Sequence, residues 1–404
     1  MVSLKNSNKI IEWLVFFLLI LTISNTAQVC FIDTYTYIIV LLFFALYIIQ
    51  LKKIDIAIFW IFIAWFFING IYSIVFSQAF VFNRVLGYSI PIFIAYFAMK
   101  IVGVSFWEKF EKWIFFLTCI SLIFYVGNLA FPLVFENFSS VFGRYIADFY
   151  KDARPLAWYA FVYTYSPIDS LDYIRNSGFM WEPGAFAMTS LIAFSYRVCR
   201  NNMKLDKHCF VYILAVITTV SSAGILALLV FFIYYFASKK NIFYTTLLAV
   251  LTIVGLPYIY ELEFMSDKIA SYIDNANLNV ASYNERLDMY EYNRFQVFEI
   301  NMKRFLEWPV GYGVNEVRDF LGMRFVGVNG LATFIRMWGV VGIFLLIYGI
   351  TKTSKIFGER VPMVASYIIM SMLLIMFFSN PIEGSALTWI FILTPFIYRN
   401  NKFI

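Results

Sequence analysis

Apolar residues run in blocks of helical length from one end of the chain to the other, separated by short polar links. The blocks lack the period-2 alternation of barrel strands, so they read as α-helices. A helix of about 20 apolar residues spans the hydrocarbon core of a bilayer. The pattern predicts spans at about residues 10–29, 35–51, 56–76, 85–102, 113–132 and 184–199. Further spans follow at about 243–260, 329–350, 361–378 and 385–398.

The run 210–237 can be read as one long helix or as two short ones turning at 218–224. Basic clusters decide between them. Arg197, Arg200, Lys204 and Lys207 precede the run, and Lys239 and Lys240 follow it. Positive charge collects on the cytoplasmic side of a membrane. One crossing would put one cluster outside, whereas two crossings keep both inside. The expectation is therefore an all-α polytopic membrane protein of about twelve spans. Residues 1–404 form one membrane domain with both termini cytoplasmic, and two large extracytoplasmic loops lie at about 133–183 and 261–328.

Composition agrees with the pattern. Of the 404 residues, 62% are hydrophobic and only 14% charged, with a mean hydropathy of +0.76. A soluble domain is about half apolar and a quarter charged. The first span lacks a small-residue exit site, so it reads as a span and not as a cleavable signal. The net charge of +6 does not point to nucleic acid. Four cysteines lie in or beside apolar runs, without a CxxC or Cys/His cluster, so neither a metal site nor a disulfide framework is indicated. Neither a nucleotide fingerprint nor a zinc motif appears.

The basic residues sort by type. In this topology most lysines fall on the cytoplasmic side, and His208 with them. Most arginines, among them Arg84, Arg175, Arg286 and Arg294, fall outside. Arginine presents a planar fork of donors that suits phosphate and carboxylate. These arginines either bind a phosphate-bearing substrate or pair with the loop acids. Arg336 lies about two turns into an apolar helix, where a charge needs a partner or a polar cavity, or else snorkels to the surface.

Two local patterns add candidates. The stretch Arg175-Asn-Ser-Gly-Phe-Met-Trp-Glu182-Pro-Gly184 sets opposite charges around turn formers at the mouth of a span. It is either a capped helix start with an ion pair or a reactive pair. Residues 283–306 read as an interfacial amphipathic helix, on which Arg286, Tyr290 and Arg294 share a face.

The chain resembles the bacterial O-antigen and capsular polysaccharide polymerase (Wzy) family, within the wider group that includes O-antigen ligases. The resemblance is carried by Arg175 through Gly184, Thr219 through Gly224, Asn284-Glu-Arg286, Trp308-Pro-Val-Gly-Tyr-Gly313 and Asn329 through Gly342. It implies a GT-C-like helical fold in the bacterial inner membrane with an active site facing the exterior. The implied reaction joins oligosaccharide repeat units carried on undecaprenyl diphosphate, without metal or cofactor. The implied partners are that lipid-linked oligosaccharide, membrane lipid, and flippase and chain-length regulator proteins. On this reading Glu182 is the base and Arg175 binds the donor. Arg84, Arg286, Arg294 and Arg336, with Tyr290 and Asn329, surround the diphosphate.

Two departures stand out. Ligases are expected to carry a functional histidine at the site where Asn329 stands, which favours a polymerase. The hairpin reads Ser221-Ser222-Ala223 where Thr-Ser-Arg is frequent, so that arginine is missing. An O-antigen ligase and a lipid-linked oligosaccharide flippase or other transporter stand as alternatives. A transporter would show two related halves.

Overall fold

The computed structural model describes residues 9–24, 34–51, 56–135, 174–238, 289–315, 329–358 and 361–398, with short pieces between them. The described chain is mostly helical. Helices α1 (Lys9–Ile23), α2 (Thr34–Leu51), α3 (Ile56–Val75), α4 (Phe82–Val102) and α5 (Phe106–Ala130) come first. Then follow α6 (Pro183–Arg200), α7 (Lys207–Thr218), α8 (Ser222–Ser238) and α9 (Arg294–Glu307). Helices α10 (Gly330–Phe357), α11 (Met363–Ser379) and α12 (Ala386–Ile397) close the bundle. Each described apolar helix falls on an expected span, while the span expected at 243–260 lies outside the described residues.

Two helical stretches, Phe82–Ala130 and Gly330–Phe357, are long and apolar enough to cross a membrane. Helix α5 starts earlier than expected, at Phe106 after a 3₁₀ turn, so Lys109 and Lys112 lie on it and not in a link. Large apolar residues also cover much of the outside of the bundle, among them Trp60, Phe67, Ile74, Ile123 and Phe344. Among the described residues the interior is one large hydrophobic core built from most of the apolar helices, with two smaller clusters around Trp65 and Tyr163. Phe16, Trp107, Phe186 and Phe231 are fully enclosed.

The run 207–238 breaks in two, as expected. Thr219 keeps helical dihedrals, but Val220 turns over at φ 49°, which ends α7. Asp206 starts α7 by accepting a hydrogen bond from the Cys209 N–H.

The segment 283–306 departs from expectation. It is not one helix. β3 (Ser282–Asn284) pairs antiparallel with β4 (Met289–Glu291), and β4 pairs in parallel with β5 (Phe325–Val326). The helix begins only at Arg294, because Asn293 and Gln296 form a capping box there. Tyr290 sits on β4 and Arg294 opens α9, so the two share no helix face, and Arg286 lies outside the described residues. In the first loop β1 (Ala157–Tyr159) pairs antiparallel with β2 (Tyr163–Tyr165). Tyr163 is buried and accepts a hydrogen bond from Asn128 on α5 at 3.1 Å, and Thr164 N–H bonds to Gly178 O at 2.6 Å.

Helix α10 is broken at Gly339, whose φ is 60°. The break frees carbonyls that a regular helix would satisfy. The stretch Trp308–Gly313 repairs them. Tyr312 N–H donates to Arg336 O at 2.9 Å and Gly313 N–H to Met337 O at 3.0 Å, while Val340 N–H turns to Pro309 O at 2.9 Å. Backbone meets backbone so closely that a Cβ on Gly339 would collide with Pro309 O. Trp65 on α3 stacks on Trp338 at 4.1 Å, and Asn69 accepts the Val314 N–H at 2.9 Å. The Trp308–Gly313 motif is thus a clamp on the helix that carries Arg336.

Candidate functional site

Several chain reversals meet at one end of the bundle. Trp181 N–H bonds to Ser24 O just past α1, and Asn176 N–H bonds to Thr218 O at the end of α7. Arg294 Nη1 donates to Ser379 Oγ at 3.2 Å, at the end of α11. Asn329 caps α10 by accepting from Ala332 N–H and donates its own amide to Arg294 O at 3.1 Å. Gly330 packs against the backbone at Asn380 so tightly that a Cβ would collide. Residues 24, 175–182, 218–220, 294, 329 and 379–385 therefore form one neighbourhood.

A cavity of about 180 Å³ opens there. Glu182 and Glu383 both line it, with Tyr88, Trp181, Asn380 and Ser385. Glu182 is the N-cap of α6, but its side chain makes no capping hydrogen bond, which leaves the carboxylate to the cavity. Arg294 and Arg175 both act on it electrostatically. Burial pushes the Glu182 carboxyl above the ordinary carboxylate range, and the two arginines pull it back only in part. Burial raises Glu383 in the same way, opposed by backbone N–H groups and by Arg336.

Arg175 is half-buried and serves two directions. Its Nε donates to Thr219 O at 3.0 Å and its Nη2 to Val220 O at 3.3 Å. A guanidinium thus does reach the α7–α8 turn, but from Arg175 and not from the turn itself. Arg336 is buried and does not snorkel. Its Nη1 donates to Asn315 O at 3.3 Å, and it stands within electrostatic reach of Glu383 and Tyr88. Arg84 is exposed on the first turn of α4, one helical turn before Tyr88, on which it also acts.

The structure therefore brings together Glu182, Arg175, Arg294 and Asn329, and sets Arg336 beside the same cavity through Glu383. Arg84 stands at its edge through Tyr88. Tyr290 lies on β4, away from the helix face it was expected to share. Glu383, Asn380 and Tyr88 escaped the sequence reading. The available signal was Asn380-Pro-Ile-Glu383-Gly384, an acid and an amide in a Pro/Gly link between two apolar runs. Among the described residues no three metal-ligating side chains come together. No protein-family model and no curated protein matches the chain.

Proposed function

We propose that the chain is a multi-pass membrane glycosyltransferase that joins lipid-diphosphate-linked oligosaccharide repeat units, as a surface-polysaccharide polymerase. One observation carries the reading. A half-buried carboxylate, Glu182, lines a cavity within electrostatic reach of two arginines drawn from distant parts of the chain.

The membrane setting rests on the apolar exterior. Contiguous exposed apolar surface of this extent belongs against lipid or a partner, and the helices carry it around the bundle. The shorter apolar helices cross together with the two long ones, giving about twelve spans. Lys9, Lys109, Lys112, Lys207 and Lys355 fall at the end away from the cavity, so the cavity faces the exterior. Cysteines placed at positions 160 and 290 then react with an impermeant reagent on intact cells. Reaction only after permeabilisation would invert the topology.

The chemistry follows from the charges. A hydroxyl of the incoming unit attacks the anomeric carbon of the donor chain. A new C–O bond forms, the bond from that carbon to the lipid diphosphate breaks, and the diphosphate leaves with the electron pair. Glu182 accepts the hydroxyl proton, a role that a carboxyl raised above its ordinary range suits better than an ordinary one. Arg294 and Arg175 stabilise the charge that grows on the leaving diphosphate, with Arg84 at the edge of the cavity. Asn329 fixes Arg294 by bonding to its carbonyl. Purified protein given synthetic lipid-linked repeat units produces a ladder on a gel. Its absence with folded, inserted protein would overturn the reading, and water-soluble product alone would indicate a hydrolase.

A further inference from the structure

The cavity has polar groups that the leaving diphosphate does not explain. Glu383 Oε2 and Asn380 Oδ1 are both enclosed and have no hydrogen-bond partner among the described residues. The Asn380 amide nitrogen is committed to Met376 O at 2.7 Å, which leaves the oxygen as the free end. Arg336 Nε is likewise enclosed without a partner. Glu383 and Arg336 feel each other's charge, yet no salt bridge closes between them. Unpaired buried polar atoms are costly, so a cavity lined by Glu383 and Asn380 with both of these oxygens unpaired is built to be filled.

The chemistry of the two cavity oxygens selects the ligand. Both are acceptors. A diphosphate at neutral pH offers no donors, and its charge would be repelled by Glu383. A sugar ring offers hydroxyls that both donate and accept, so one pyranose can donate to both oxygens. Its apolar faces suit aromatic walls, and Tyr88 and Trp181 line the same cavity. We infer that Glu383 and Asn380, with Arg336 beside them and Tyr88 and Trp181 as walls, form a sugar subsite that orients the acceptor unit toward Glu182. The inference rests on the proposed polymerase reading. It places the diphosphate beside the cavity at Arg294 and the sugar hydroxyls within it at Glu383.

Two probes separate these positions on the full chain in detergent. One is the repeat-unit oligosaccharide released from its lipid carrier by mild acid, and the other is farnesyl diphosphate. Binding is read by calorimetry for wild type, Glu383→Gln, Glu383→Asp and Arg294→Ala. Loss of a hydrogen bond to a charged group lowers affinity about tenfold or more. Glu383→Gln therefore weakens the oligosaccharide by about tenfold and leaves farnesyl diphosphate within about twofold. Glu383→Asp keeps the charge and recovers part of the oligosaccharide affinity. Arg294→Ala shows the converse, losing farnesyl diphosphate and keeping the oligosaccharide. Unchanged oligosaccharide affinity in Glu383→Gln overturns the subsite, as does equal loss of both probes. Reading and inference fail separately. No ladder from lipid-linked units with wild type removes the reading, whereas a ladder with an unaltered Glu383→Gln affinity removes only the subsite.

Discussion

Two polar clusters sit at opposite ends of this bundle, and their hydrogen bonds are handled in opposite ways. At the end that carries the lysines, Glu111 is buried and engaged through Oε1. His208 Nδ1 lies 2.8 Å from its Oε1, and Tyr212 donates to the same oxygen at 3.0 Å. Phe115 stacks on the His208 ring at 3.7 Å. Nearby, Asp206 receives Arg197 Nε and Asn201 Nδ2, both at 2.7 Å, besides capping Cys209. At the cavity end, Glu182 makes no capping bond, and Glu383 and Asn380 each hold an enclosed oxygen without a partner. Both ends contain carboxylates and cations beside an apolar core. The Glu111 and Asp206 carboxylates are bonded within their own cluster, whereas the cavity carboxylates are left open. A satisfied cluster rigidifies a fold, while an unsatisfied one is held ready for something else. The single histidine of the chain belongs to the satisfied cluster.

The largest expected break in this comparison is at Glu182. Glu182→Gln keeps shape and removes the proposed base, a loss that typically costs about 100- to 10,000-fold in rate. Folding and insertion stay near wild type, because the carboxylate makes no capping bond to lose. The measurement is the polymerisation rate of protein shown to be folded. A variant within a few-fold of wild type would move the base to Glu383. The pH dependence sharpens the point. Burial first, against Arg294 and Arg175, holds the Glu182 pKa above the ordinary carboxylate range. A base works only when deprotonated, so activity falls as pH drops through that raised value. The acid limb of the rate profile therefore lies above the usual carboxylate range and disappears in Glu182→Gln. A limb at the ordinary carboxylate value would contradict the buried setting.

Arg294 comes next. It opens α9 at a capping box, bonds Ser379, and has its carbonyl held by Asn329. Arg294→Lys keeps the charge but loses the fork, and that exchange is not conservative at a bidentate site. A loss of about tenfold or more in rate is expected, with thermal stability little changed. Full activity of the lysine variant would make Arg294 a point charge only. Asn329→Ala should follow the same direction more weakly, since it loosens Arg294 and uncaps α10 together.

Much of this architecture was legible in the sequence, and the exceptions have physical causes. Apolar blocks place the helices because a long run without breakers has few other ways to satisfy its backbone. The basic clusters around 210–237 identify the break at Val220. The start of α9 was missed because periodicity was carried through residues 283–293, where strand pairing wins. Asn293 with Gln296 three residues on was the local signal for the true start. Arg336 could be read as a buried charge, but the broken helix around it could not. That break depends on Trp308–Gly313 returning from elsewhere in the chain to bond its carbonyls. Glu383 was overlooked for a similar reason. In sequence it is one acid in a short link, and only packing against α4 and α6 turns it into half of a cavity.

The satisfied end offers the smallest effect and the cleanest control. Burial alone would raise Asp206, but hydrogen bonds from Arg197 and Asn201, with the Cys209 N–H, outweigh it and hold the carboxyl well below its usual range. A folded pKa below the unfolded one contributes stability that is present above the unfolded value and lost as pH falls toward the folded one. Asp206→Ala removes that contribution together with an N-cap, and such a cap is worth about 1 kcal/mol. Because Asp206 is partly open to solvent, its ion pair with Arg197 adds little beyond the cap and is screened by salt. Asp206→Ala should thus lower the unfolding midpoint modestly at neutral pH, and by less as the medium is made strongly acidic. The proposed polymerisation, per folded molecule, should stay at the wild-type level, since the cluster lies at the far end of α6 from Glu182. Thermal unfolding in detergent and a rate normalised to folded protein read the two quantities apart. A lowered rate per folded molecule would mean that the two ends are coupled through α6, and the division between a structural end and a working end would no longer stand.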